Sequence, residues 1–192
     1  MNWFRPSFDP LSAADCELVV RLRSGDEACW RELYRRHQDR LYRYALRMTG
    51  SAATASDITQ ETFVAFLEQA HRYDPAQAPL GAWLLGIARN RVRKSFTATA
   101  AWEPLEDAPP PEAPGHDPLT SLTHAEQLAA VRVAVDALPP AFREVVVLIE
   151  FEEMSYEETA AVLGVPAGTV RSRLHRARAL LQQSLSAQGV AR

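Results

Sequence analysis

The chain has 192 residues, 47% hydrophobic and 23% charged, enough apolar material for one large or two small domains and too much for disorder throughout. No uninterrupted apolar run exceeds five residues, as at positions 145–149, and the start MNWFRPSFDP offers no apolar stretch of leader length; no membrane insertion and no secretory signal are expected, and the expected compartment is cytoplasmic. The net charge of -3 hides a partition: residues 15–95 carry 13 Lys/Arg against 10 Asp/Glu, residues 96–125 carry five acids and no base, and residues 126–192 carry 7 bases against 8 acids. Any basic surface is therefore local.

An N-terminal extension, residues 1–14, precedes the first helical pattern. Asp15 is placed to cap a short helix to residue 24 that bears Leu18, Val19 and Leu22 on one side. Cys16 and Cys29 lack CxxC spacing, so they predict neither a zinc site nor a disulfide and read as buried thiols. After Gly25, Asp26 caps a longer helix on which Trp30, Leu33, Tyr34, His37, Leu41, Tyr44, Ala45 and Met48 recur at three- and four-residue steps as a core-facing stripe. Gly50 interrupts, and a third helix is predicted from about 56 to 70. Its Asp57, Gln60 and Glu61 share one face. Carboxylates four apart allow an acid/base pair, but no His or metal-ligand pattern accompanies them, which favours a solvated or protein-binding face.

Tyr73-Asp74-Pro75 and Pro79 then force a loop. The fourth helix buries Trp83, Leu84, Ile87, Ala88 and Val92 and carries Arg89, Arg91, Arg93 and Lys94 beside Trp83 and Phe96. Basic groups hold phosphates and aromatic faces stack on unpaired bases, so this cluster with Tyr73 suits an opened strand; Trp83 as ordinary core is the competing reading. Residues 96–125 follow, where six of the chain's 13 prolines lie between Pro104 and Pro118. Proline removes amide donors and like charges repel, which predicts an extended acidic linker between two domains.

The second domain spans residues 126–186, followed by a tail at 187–192. Leu128, Val131, Val135 and Leu138 mark a helix ending at Pro139-Pro140, and another begins there and carries the apolar run. Ser155 with Glu158 is a capping box, Gly164 closes that helix, and Val165-Pro166 turn the chain into a last helix near Ala167. Two helices joined by so short a turn are a helix-turn-helix. On the last helix Val170, Leu174, Ala177 and Leu181 form the packed face, which leaves Thr169, Ser172, Arg173 and Arg176 outward with Arg171 and Arg178 at the flanks. An arginine-rich second helix is what the major groove admits, each Arg on guanine supplying ~1–3 kcal/mol of discrimination. No phosphate loop, HExxH or nucleophile elbow occurs, so no enzyme, cofactor or metal is expected. The expected fold class is all-α: two small helical domains joined by an acidic Pro-rich linker, the C-terminal one a helix-turn-helix.

These residues resemble the bacterial sigma factors, specifically the small extracytoplasmic-function group with sigma regions two and four only. DITQETFVAF is similar to that family's polymerase-binding helix, GAWLLGIARNRV to its -10-reading helix, and MSYEETAAVLGVPAGTVRSRLHRARALL to its -35-reading motif. The match covers about 15–95 and 126–183. The resemblance implies that Asp57, Gln60 and Glu61 contact core RNA polymerase. It implies that Tyr73, Trp83, Arg89, Asn90 and Arg93 serve the melted -10 strand, and that Thr169, Arg171, Ser172, Arg173 and Arg176 serve the -35 element. Promoter DNA and an anti-sigma protein are further expected partners. Lys94 departs from the family, many of whose members have an acid there, and FTATAAWEPLED replaces a basic tail. The rival reading is a helix-turn-helix regulator that never enters polymerase, which leaves the Asp57 face without a partner.

Overall fold

The computed structural model describes residues 11, 13–97 and 124–187. Most of the extension at 1–14, of the linker at 96–125 and of the tail at 187–192 lies outside them. Eight α-helices and no strand occur among the described residues: α1 (Asp15–Leu22), α2 (Glu27–Thr49), α3 (Ala52–Gln69), α4 (Leu80–Thr97), α5 (His124–Asp136), α6 (Pro140–Val146), α7 (Tyr156–Leu163) and α8 (Ala167–Ala187). A 3₁₀ turn at Ala70–Arg72 follows α3, and a π-helical stretch at Val147–Phe151 continues α6.

Capping chemistry sets most of these boundaries. The Asp26 carboxylate accepts from the Ala28 amide at 3.0 Å and opens α2, and Gly50 ends it in the left-handed region at φ 68°, where a side chain would be strained. Ser51 accepts from the Thr54 amide, so α3 starts at Ala52, earlier than the expected 56: the run AATA is helical once its amides have that hydroxyl as acceptor. Asp15 does not cap α1. The N-cap is Ala14, without a side-chain bond, and the Asp15 carboxylate turns to α2, where it accepts from Arg36 at 3.0 Å and is hydrogen-bonded to His37 Nε2 at 2.9 Å. The His37 hydrogen bond, with Arg36 beside it, holds the Asp15 carboxyl below its usual range.

The N-terminal core is built on α2, whose Leu33, Leu41, Tyr44, Ala45 and Met48 are buried against Leu18 of α1, Phe63 and Phe66 of α3, and Leu84, Leu85 and Val92 of α4. Trp30 meets Phe63 edge-on with ring centroids 5.5 Å apart, and Tyr34 meets the same ring at 4.7 Å; each fully buried large apolar side chain contributes about 1.5–3 kcal/mol. Cys29 is buried and its thiol is pushed up by that burial, whereas Cys16 is half-buried, less enclosed than expected; both are free thiols.

In the C-terminal half, Phe142, Val145 and Val146 of α6 join Val147 and Leu148 of the π-helical stretch in packing against Leu163 of α7 and Val170, Leu174 and Ala177 of α8. The Glu152 amide bonds Val147 O at 3.0 Å and the Met154 amide bonds Leu148 O at 3.0 Å, after which Glu153 reverses the chain at φ 53°. The wider π turn is an irregular element that the hydrophobic pattern did not announce. α7 packs against α4, and α6 with the π-helical stretch packs against α2, so the buried residues of both halves form one continuous cluster.

Candidate functional site

Three surfaces carry the sequence-predicted residues. The first is the helix-turn-helix. Ser155 Oγ accepts from the Glu158 amide at 3.1 Å while the Glu158 carboxylate accepts from the Ser155 amide at 2.9 Å, and Gly164 takes φ 64° to end α7. With Val170, Leu174 and Ala177 buried, the register of α8 leaves Arg171 and Ser172 exposed and Thr169, Arg173 and Arg176 half-exposed. The Arg171 guanidinium lies over the Tyr156 ring at 5.4 Å, which steadies it without using its hydrogen-bond donors. Arg178, one flank of the expected basic face, is instead paired with Glu150 at 2.6 Å.

The second surface is α4 and the loop before it. Asn90 and Arg93 are exposed. Trp83 is half-buried, edge-on to Phe66 at 5.8 Å and tilted against Tyr73 at 5.6 Å. The sequence grouping of Tyr73 with Trp83 thus becomes a ring contact, but Tyr73 is 6% exposed and is packed behind Trp83. Arg23 fixes that loop by donating to Tyr73 O at 2.9 Å and to Ala70 O at 3.0 Å. Trp83, Ile87 and Asn90 line a cleft whose opposite wall is Ala161 and Val162 of α7. Arg89 does not face solvent as a phosphate ligand would; its Nε donates to the Glu144 carboxylate at 2.9 Å, and its side chain is 11% exposed.

On the third surface, the exposed Asp57, Gln60 and Glu61 share a concavity of α3 with Val64, Glu68 and Arg91. Arg91 pairs with Glu61 at 3.4 Å, so this member of the basic cluster serves α3. Val64 and Leu67 stand exposed beside the acids at 57% and 46%. Sequence reasoning passed over both, although the run FVAFL carries apolar residues around more of the helix than one core face can bury.

Glu144 was also missed. It is 1% exposed and accepts from the Tyr44 hydroxyl at 3.0 Å as well as from Arg89. Burial raises its carboxyl above the ordinary range against the opposing pull of Arg89, and pushes the Tyr44 hydroxyl well up. The available signal was an acid sharing the helical face of Val145 and Leu148. Among the described residues no cluster of three His, Cys, Asp or Glu suits a metal ion, and no helix is long and apolar enough to cross a membrane.

Comparison with known proteins places both halves. Sigma-70 region 2 matches residues 33–101 and Sigma-70, region 4 matches residues 128–181. The ECF RNA polymerase sigma factor SigE of Mycolicibacterium smegmatis is 37% identical over 194 residues, which cover 96% of this chain and 72% of that protein. The structure of CnrH in complex with the cytosolic domain of CnrY is similar with a TM-score of 0.69 at 30% identity, over 91% of this chain and 99% of that one. The sigma factor RpoE in complex with the anti-sigma factor NepR from Bartonella quintana is similar with a TM-score of 0.60 at 25% identity, over 81% and 96% of the two chains.

Proposed function

The chain belongs to the extracytoplasmic-function RNA polymerase sigma factors, and from that premise we propose that its three surfaces divide the work of promoter recognition. A member of this family is no enzyme: it binds core RNA polymerase and directs it to promoter DNA. The α3 surface docks on polymerase through Asp57, Gln60 and Glu61, with Val64 and Leu67 supplying apolar area that loses water on docking. On the upstream duplex, α8 reads the -35 element through Thr169, Arg171, Ser172, Arg173 and Arg176. The α4 surface takes the melted -10 strand, with Arg93 on phosphate, Arg89 joining it once its pair with Glu144 is released, and Asn90 and Trp83 around an unstacked base with Tyr73 packed behind Trp83. Because captured bases are withdrawn from the duplex, their binding free energy shifts the opening equilibrium without covalent chemistry.

The observation that carries this reading is the register of α8, which buries Val170, Leu174 and Ala177 and so turns an arginine face outward from a capped helix-turn-helix. The acidic linker joins the two DNA-reading units, and the compartment is the one that holds polymerase and chromosome, the cytoplasm. CnrH and RpoE are seen with CnrY and the anti-sigma factor NepR; an anti-sigma protein is the corresponding partner here. Copurification with core polymerase tests the assignment of α3. The double substitution Asp57→Ala, Glu61→Ala is expected to abolish it while leaving helix content unchanged; full retention would return the chain to the class of regulators that act without entering polymerase.

A further inference from the structure

The segment between α3 and α4 is fastened to α1 by one side chain. Arg23, the C-cap of α1, donates from Nε to Ala70 O at 3.0 Å and from Nη2 to Tyr73 O at 2.9 Å, across 47 and 50 residues of sequence. A guanidinium is a planar fork with fixed N–H directions, so a single residue can span the 3₁₀ turn and the residue that follows it. The side chain of Tyr73 faces α1 as well: burial raises its hydroxyl, and Asp15 and Cys16 add to the rise. α1 is itself anchored on α2 by the buried Leu18 and Val19 and by Asp15, which meets Arg36 and His37. The tie therefore ends on a fixed scaffold.

What it holds is the rim of the α4 cleft. Gln69, just before the tied carbonyls, and Ala78, beyond them, line that cleft together with Trp83 and Asn90. Tyr73 stands behind Trp83 with ring centroids 5.6 Å apart, so one carbonyl that Arg23 grips belongs to the residue backing the indole. The bonds from the Ala76 amide and from Gln77 Nε2 to the Asp74 carboxylate, each 3.0 Å, are internal to the loop. They shape it without joining it to a helix. A site that must meet its ligand to within about 0.5 Å needs its supporting residues locked in this way.

We propose that Arg23 is a positioning residue for the melted strand: by fastening Ala70 and Tyr73 to α1 it presets Trp83 and the cleft rim for an unstacked base, and so raises the extent of promoter opening. The proposal rests on the assignment of α4 to the melted -10 strand. A net hydrogen bond shifts a conformational equilibrium by roughly two- to tenfold, and capture by a partly populated conformer weakens in proportion to its population. Removing the donors is therefore expected to lower opening by about two- to tenfold.

The test uses Arg23→Met, which keeps an unbranched apolar stem and removes the donors, alone and combined with Trp83→Ala in the full chain. Holoenzyme is placed on a promoter fragment selected by reconstituted initiation; opening is read from permanganate reactivity of unpaired thymines, and retention on the closed duplex from gel shift at several salt concentrations. Arg23→Met is expected to lower opening about two- to tenfold while retention, its salt slope and copurification with core polymerase match the parent. In the Trp83→Ala background it is expected to add less than about twofold, because the two residues act through one ring contact. Opening at the parent level would overturn the proposal, as would a fully additive loss. Weakened retention with the salt slope reduced by about one would make Arg23 a phosphate contact instead, and loss of copurification would make it a determinant of the fold; either result overturns the positioning role. If Trp83→Ala itself leaves opening unchanged, the assignment of α4 fails and this inference falls with it, whereas a defect in Trp83→Ala without one in Arg23→Met removes the inference alone.

Discussion

Replacing Arg171 by alanine separates recognition from folding on the same helix. The side chain is exposed, with its guanidinium over the Tyr156 ring at 5.4 Å, so truncation removes an exposed cation–π contact and costs region 4 at most about 1 kcal/mol of stability. A guanidinium placed bidentately on guanine discriminates by ~1–3 kcal/mol, which is roughly 5- to 150-fold in affinity. Recognition should therefore suffer more than stability. The assay is binding of reconstituted holoenzyme to a promoter library randomised across the -35 element, at several salt concentrations, alongside thermal unfolding of the free protein. The expected result is relaxed preference at one or two base pairs with an unchanged salt slope and a nearly unchanged midpoint. A uniform loss at every sequence with the slope reduced by about one would make Arg171 a phosphate contact, and unchanged preference and affinity would remove α8 from the duplex.

On the inner face of the same helix, Leu174 is 2% exposed; Leu174→Ala should cost about 3 kcal/mol and lower the region 4 midpoint in calorimetry by roughly 12–24 °C, and a loss below about 1 kcal/mol would contradict the register assigned to α8. In region 2, hydrogen bonds from Arg35 and Arg36 hold the Glu32 carboxyl down at about 2. Its folded value lies below the usual 4.5, so the stabilisation is complete above that pH and disappears as pH falls toward 2. The midpoint of the parent chain should consequently drop more steeply than that of Glu32→Gln between pH 5 and pH 2, and parallel curves would refute the assignment.

What the sequence revealed and what it withheld divide along the range of the interactions. Asp26, Gly50, Ser155 and Gly164 act within four residues of themselves, and their caps were readable as written. Ser51 was overlooked because AATA lacks an apolar stripe, and Asp15 was misread because its partners Arg36 and His37 lie a helix away. Ser172 and Arg176, each two positions from Leu174, sit opposite it by helical geometry alone, which is why the duplex-reading side was legible. Arg89 was legible as a basic residue on the right helix, but its Glu144 partner comes from the other domain, and nothing local to either residue announces a pair 55 positions apart. The burial of Tyr73 likewise depends on Trp83 and on the loop that Arg23 fastens. Exposure of Val64 and Leu67 followed from counting apolar residues around α3 and was passed over in favour of the acids beside them.

Initiation reconstituted from purified core polymerase, genomic DNA fragments and the full chain tests the central claim most directly, with transcript 5′ ends mapped in the presence and absence of the chain. A discrete set of new start sites that appears only with the chain, and vanishes with Asp57→Ala, Glu61→Ala, is the predicted result. Start sites identical with and without the chain would contradict the account.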